Sequence, residues 1–130
     1  MYLLDTNICI AILKNNKNAV RAFTPRSQHC YLSTIVVAEL YKGVYWSQRI
    51  EDNRDAIDRF IELMPILDYD QAAALEFGKI QGELKQVGRP TGEFDALVAS
   101  VARSQQFTLV TDNIKHFQNI RNLHLENWLR

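Results

Sequence analysis

The chain has 130 residues, 47% hydrophobic and 23% charged, and its fifteen basic residues cancel fifteen acidic ones. That length suits one domain, spanning 1–130, with a sizeable core, and the composition is that of an ordinary soluble globular protein. A net charge of zero counts against a non-specific polyanion binder, but not against an enzyme that sets a small acidic pocket beside a basic rim.

The predicted elements alternate between strand and helix. Tyr2-Leu3-Leu4 reads as a short buried strand, and Thr6 or Asn7 can cap a helix over 8–13. A polar break at 14–17 precedes a short helix at 19–23, which Pro25 should stop. Cys30-Tyr31-Leu32 reads as a second strand, and Ser33 or Thr34 then caps a helix over 35–46. Residues 50–64 form an amphipathic helix, with Ile57, Phe60, Ile61 and Met64 on one face. Pro65-Ile66-Leu67 is a third short strand. Asp70 caps a helix whose apolar stripe is Ala73, Phe77, Ile80 and Leu84. The run 87–92, Val-Gly-Arg-Pro-Thr-Gly, is the strongest loop signal and leads into a helix over 93–104. Residues 107–110 and 124–126 read as the last strands. Cys9 and Cys30 lack metal-ligand spacing and sit among apolar neighbours, which suits free, buried thiols in a reducing cytoplasm. No basic-then-apolar leader and no apolar run near ~20 residues occurs, so neither a signal peptide nor a membrane span is expected.

Short apolar strands separated by helices specify an α/β fold with a mostly parallel sheet and helices on both sides. Such a sheet binds ligands beyond the C-terminal ends of its strands, where the strand order reverses. Asp5 and Asp112 each follow a strand directly and belong on that edge. Asp95 opens the helix after the glycine-containing loop and can reach it. Glu39 interrupts the apolar run 35–40, and its helical neighbours Ile35, Val36, Lys42 and Gly43 make a half-apolar face. Taken singly, each acid has a local explanation: a cap for Asp5, a turn for Asp112, a dipole-favoured first turn for Asp95, a surface pair with Lys42 for Glu39. Gathered at one point, their mutual repulsion calls for a hard cation. Glu93 is a fifth candidate that should face away from Asp95, two positions apart on a helix. Thr6 and Thr111 can hold a carboxylate or simply cap. Glu51, Asp52, Asp55 and Asp58 read as a solvated face.

The blocks Leu3-Leu4-Asp5-Thr6-Asn7, Ala38-Glu39-Leu40, Phe94-Asp95-Ala96-Leu97-Val98-Ala99 and Leu109-Val110-Thr111-Asp112-Asn113, together with the ending 123–128, resemble the PIN domain. Within it the resemblance is to the VapC toxins of bacterial toxin–antitoxin pairs, and it covers essentially the whole chain. It implies a three-layer α/β/α fold and a Mg²⁺- or Mn²⁺-dependent endoribonuclease, in the cytoplasm, inhibited by a VapB-like antitoxin. It also implies a homodimer or a hetero-oligomer with the antitoxin. The family's acidic quartet transfers onto Asp5, Glu39, Asp95 and Asp112. Asp5 and Asp95 are then direct metal ligands, while Glu39 and Asp112 bind directly, through water or through a second ion. Phe94 departs from the small polar residue often found before the third acid.

Such an ion would polarise the scissile phosphate and activate water for in-line attack, leaving a 5′-phosphate and a 3′-hydroxyl. No histidine lies in the four blocks, which disfavours a metal-free route through imidazoles, and His29, His116 and His124 read as surface or loop residues. Lys14, Lys17, Lys42, Arg49, Lys85, Arg89 and Lys115 are candidate phosphate contacts, with Lys85 and Arg89 foremost because they flank the loop before Asp95. A shallow acidic cleft suits an exposed single-stranded loop, as in tRNA. Tyr41, Val44, Tyr45 and Trp46 form an aromatic-rich patch suited to an antitoxin helix. The competing readings are a non-catalytic PIN-like RNA- or protein-binding module and a small phosphatase. A haloacid-dehalogenase-type phosphatase would need a second acid two residues after Asp5, where this chain has Asn7.

Overall fold

The computed structural model describes residues Met1–Arg130. Five strands form one sheet: β1 (Tyr2–Leu4), β2 (Cys30–Ser33), β3 (Ile66–Leu67), β4 (Thr108–Val110) and β5 (Leu125–Glu126). Their order is β3-β2-β1-β4-β5, and every pairing is parallel. The flanking helices are α1 (Thr6–Leu13), α2 (Lys17–Arg26), α3 (Thr34–Tyr45), α4 (Ile50–Ile61), α5 (Gln71–Val87), α6 (Glu93–Gln105) and α7 (Ile114–Phe117). The chain builds outward from β1 to β3, then returns to the other side of β1 for β4 and β5. The order therefore reverses between β1 and β4, and a crevice opens beyond their C-terminal ends.

The central strands are apolar on both faces because both faces are covered. Leu3, Leu4, Leu32, Leu109 and Val110 are fully buried in one core with Ile8, Val36, Ile80, Val98 and Phe117. The predicted α5 stripe holds: Ala73, Ile80 and Leu84 are buried and Phe77 is half-buried. α5 packs along α6, and α3 on α4. Ser33 caps α3 by accepting the Val36 N–H at 3.2 Å, and Asp70 caps α5 by accepting the Ala73 N–H at 2.9 Å. Gly88 ends α5 in the left-handed conformation (φ 65°), where a side chain would be strained.

Several boundaries differ from expectation. α2 runs longer than expected, and Pro25 lies inside its last turn, one residue before the helix ends. α4 stops at Ile61, and Met64 reaches the core from the turn that follows. The four-residue α7 was not expected; it is too short for a periodicity to declare itself. Cys9 and Cys30 are free and buried, as anticipated.

Candidate active site

Asp5 is the residue that leaves β1 and caps α1. Its backbone N–H donates to the Val110 carbonyl at 2.9 Å, which continues the β1–β4 pairing and fixes the acid over the crevice. Its Oδ1 accepts the Thr6 N–H at 2.9 Å, and its Oδ2 accepts the Thr111 hydroxyl at 2.8 Å. Thr111 is itself oriented by the Asn113 N–H, which donates to its Oγ1 at 3.0 Å. The Asp5 carboxylate is 5% exposed and has no cationic partner. Burial pushes its carboxyl above the usual carboxylate range, against the hydrogen bonds from Thr111 and Thr6. The negative charges of Asp95 and Glu39 push it further in the same direction.

Three of the four predicted acids therefore share an electrostatic centre. Glu39, half-buried on α3, lines the wall of a groove of about 480 Å³ beside Ile10, Leu13, Leu40, Val44 and Ile57. Asp95, in the first turn of α6, is also half-buried, while Glu93 is exposed, as the spacing required. Phe94 lies at the surface rather than in the core.

Asp112 lies at the same sheet edge but is engaged elsewhere. Its N–H donates to Asn7 Oδ1 at 2.9 Å, and its Oδ1 accepts from Asn127 Nδ2 at 3.0 Å and faces Arg130 at 3.7 Å. Asn7 thus straps the ends of β1 and β4 together; its Nδ2 also approaches Asp5 and Thr111, each at 3.4 Å. The position where a dehalogenase-type phosphatase needs an acid is a structural amide here.

His116 is exposed on α7, as expected of a surface residue, and its Nδ1 meets Asp95 Oδ2 at 3.1 Å. No sequence signal marks it, because the contact depends on where α7 settles. The foreseen patch 41–46 divides instead: Val44 is core, Tyr41 donates its hydroxyl to Asp58 at 2.6 Å, and Trp46 is 82% exposed. Lys42 stacks on the Trp46 ring at 5.0 Å, not on Glu39.

The donor set suits a hard cation. It consists of carboxylate oxygens, with no basic side chain paired to Asp5, and the buried Thr6 hydroxyl beside it has no hydrogen-bond partner. No group of three acidic, histidine or cysteine side chains is arranged as a cage that could hold a metal ion. Mg²⁺ needs no such cage, since it keeps several waters and takes only one or two carboxylates with a substrate phosphate. No helix is long and apolar enough to cross a membrane.

The PIN domain family model matches residues 2–123. The tRNA(fMet)-specific endonuclease VapC of Shigella flexneri is 39% identical over 128 residues, covering 98% of this chain and 97% of that protein. In the crystal structure of VapBC2 from Rickettsia felis bound to a promoter DNA fragment, the matching chain superposes with a TM-score of 0.92. It is 37% identical, with 98% of both chains covered. A chain of the DNA-bound VapBC from Salmonella typhimurium gives a TM-score of 0.93 at 34% identity, covering 98% of this chain and 97% of that one. Strand order, acid centre and full-length similarity agree, and the chain belongs to the VapC toxin family of PIN-domain ribonucleases.

Proposed function

We propose that this protein is a Mg²⁺- or Mn²⁺-dependent endoribonuclease toxin, acting in the cytoplasm on structured RNA with an exposed loop, tRNA foremost. One observation carries the reading: Asp5 is buried at the switch point of the sheet, with two further carboxylates pressing on it and no cation to relieve them. Burying a charge in that state is costly, and a fold tolerates it where a ligand supplies the missing charge.

Asp5 and Asp95 would hold the ion, with Glu39 and Asp112 contributing directly or through water. Held there, such an ion would supply positive charge for the scissile phosphate and would lower the pKa of an attacking water. The protein's own work is positioning. The Thr6 N–H and the Thr111 hydroxyl fix both oxygens of Asp5, so its remaining lone pairs point where the backbone dictates. Asn7 holds the Asp112 backbone at a fixed distance from that centre. His116 steadies Asp95 from the solvent side.

A VapB-like antitoxin is the proposed inhibitor. The groove of Ile10, Leu13, Leu40, Val44 and Ile57 leads to Glu39, and it would receive the apolar face of a partner helix while a basic side chain meets the acids. The Rickettsia and Salmonella relatives were crystallised as such toxin–antitoxin assemblies. A homodimer completes the proposal, and analytical ultracentrifugation of the purified toxin checks it. The tRNA preference draws support from the name of the Shigella relative.

The test is cleavage of total cellular RNA by protein freed of any partner, with Mg²⁺, Mn²⁺ or EDTA. Discrete metal-dependent fragments, absent with Asp5→Asn/Asp95→Asn, are expected, and end-mapping should give 5′-phosphates. A folded protein that binds RNA but never cuts it would point instead to a non-catalytic binding module.

A further inference from the structure

Two open pockets adjoin Asp95 and Asp112, share no residue with the apolar groove, and have Lys115 and His116 in common. One, about 380 Å³, lies between the 88–92 loop and α7 and includes Arg89 and Asp95. The other, about 470 Å³, lies between α7 and the end of the chain and includes Asp112 and Arg130. Together they form a trench that crosses α7 and passes both acids. The Thr91 hydroxyl donates to the His116 carbonyl at 2.8 Å, which ties the loop carrying Arg89 to the helix carrying Lys115. The backbones that carry the two walls are thereby held together before anything binds, which reduces the ordering cost of binding.

Charge separates this trench from the other concave surfaces. Arg89, Lys115 and Arg130 face two acids here, and those acids are the ones a divalent cation would engage. Arg89 and Lys115 form no ion pair, and the Arg130 contact to Asp112 is long, at 3.7 Å, and 79% exposed on the arginine side, so it can be exchanged cheaply. A pocket of about 660 Å³ at the other end of the sheet also holds cations, but its Arg103 and Arg121 are committed to Glu76 and Glu83. The apolar groove offers Lys14 alone.

We propose that this trench is the track for the RNA backbone on either side of the cut, with Arg89, Lys115 and Arg130 contacting successive phosphates and His116 standing at the crossing over Asp95. This assignment rests on the ribonuclease reading and adds to it the route by which substrate enters. It leaves the apolar groove to the inhibitor, so that RNA and inhibitor occupy separate surfaces, one reaching Asp95 and Asp112 and the other Glu39.

The test is fluorescence anisotropy of a labelled stem–loop RNA with the full-length protein in EDTA, titrated at several salt concentrations. Each phosphate contact to single-stranded RNA contributes about 0.7 to the slope of log affinity against log salt. The Arg89→Gln/Lys115→Gln/Arg130→Gln variant should therefore lose about 2 from the slope, whereas Lys14→Gln/Lys42→Gln should keep it. An unchanged slope in the triple variant, an equal loss in the Lys14/Lys42 variant, or no measurable binding by the wild type would overturn the proposal. Mg²⁺-dependent cutting of the same RNA is measured in parallel. Wild-type binding with the predicted slope loss but no cutting keeps the trench and removes the nuclease, and cutting with an unchanged slope does the reverse.

Discussion

The two ends of the sheet treat their acids in opposite ways. Beyond the C-terminal ends of the strands, Asp5 is buried with hydrogen bonds but no cation, and burial raises its pKa. At the far end, Arg103, 9% exposed, bridges two acids: it meets Glu76 at 2.9 Å and Glu83 at 2.9 Å, with Arg121 adding a contact to Glu83 at 3.5 Å. There the Arg103 hydrogen bonds lower the Glu83 pKa. Neutralised acids hold helices together, in this case α5 to α6. Asp5 keeps its hydrogen bonds but has no counter-charge within the chain.

The comparison breaks most visibly on activity. Asp5→Asn should lower RNA cleavage by more than about a hundredfold, the upper figure for losing a mere supporting partner of a metal site. Glu83→Gln should leave the cleavage rate near wild type. A discontinuous RNA assay on both variants at fixed Mg²⁺ decides it.

Stability should reverse that ranking. Arg103→Met strands two partly buried carboxylates and should cost about 3 kcal/mol, or about 10 °C in Tm, by calorimetry. Mg²⁺ should raise the Tm of the wild type and of Glu83→Gln by mass action, and should not raise that of Asp5→Asn.

The pH dependence of the far end has a definite sign. The folded pKa of Glu83 lies below its ordinary 4.5, so its stabilisation is complete above 4.5 and is lost as the pH falls through the lower folded value. Glu83→Gln should therefore be less stable than wild type at neutral pH. The gap should close in acid, and urea unfolding across pH 3 to 7 would show it.

The threonines sharpen the contrast with smaller effects. Thr111→Val removes the hydroxyl that donates to Asp5 and accepts from Asn113, and should cost about 1 kcal/mol of stability. Activity should fall about tenfold to a hundredfold, since Asp5 loses its orienting partner. Thr6→Val deletes a buried hydroxyl that has no partner in the protein, so thermal stability should hold or rise slightly. A higher Mg²⁺ requirement for that variant would show that the hydroxyl serves the ion's surroundings.

Much of this was legible in residue order. A buried run ending in an acid, twice, placed Asp5 and Asp112 on one edge of a parallel sheet. The capping residues Ser33 and Asp70 were readable because a cap is a local hydrogen bond, spanning three residues here. The half-apolar face of Glu39 singled it out from the solvated acids of α4. Illegible were the features that join distant segments. His116 meets Asp95 across 21 residues, and Asp112 takes Asn127 across 15. Lys85, foremost by sequence proximity, does not line the trench, whereas Arg89 does, because Gly88 turns the chain between them.

The sequence by itself determined the alternation of strands and helices, the parallel sheet and the acids that follow β1 and β4, since apolar periodicity and caps act over a few residues. Only the tertiary structure decided which acid is neutralised and which is not. Arg103 reaches Glu83 across 20 residues and Glu76 across 27, while no cation of any segment reaches Asp5. Charge pairing in a folded chain depends on distance through space, and the fold alone sets that distance.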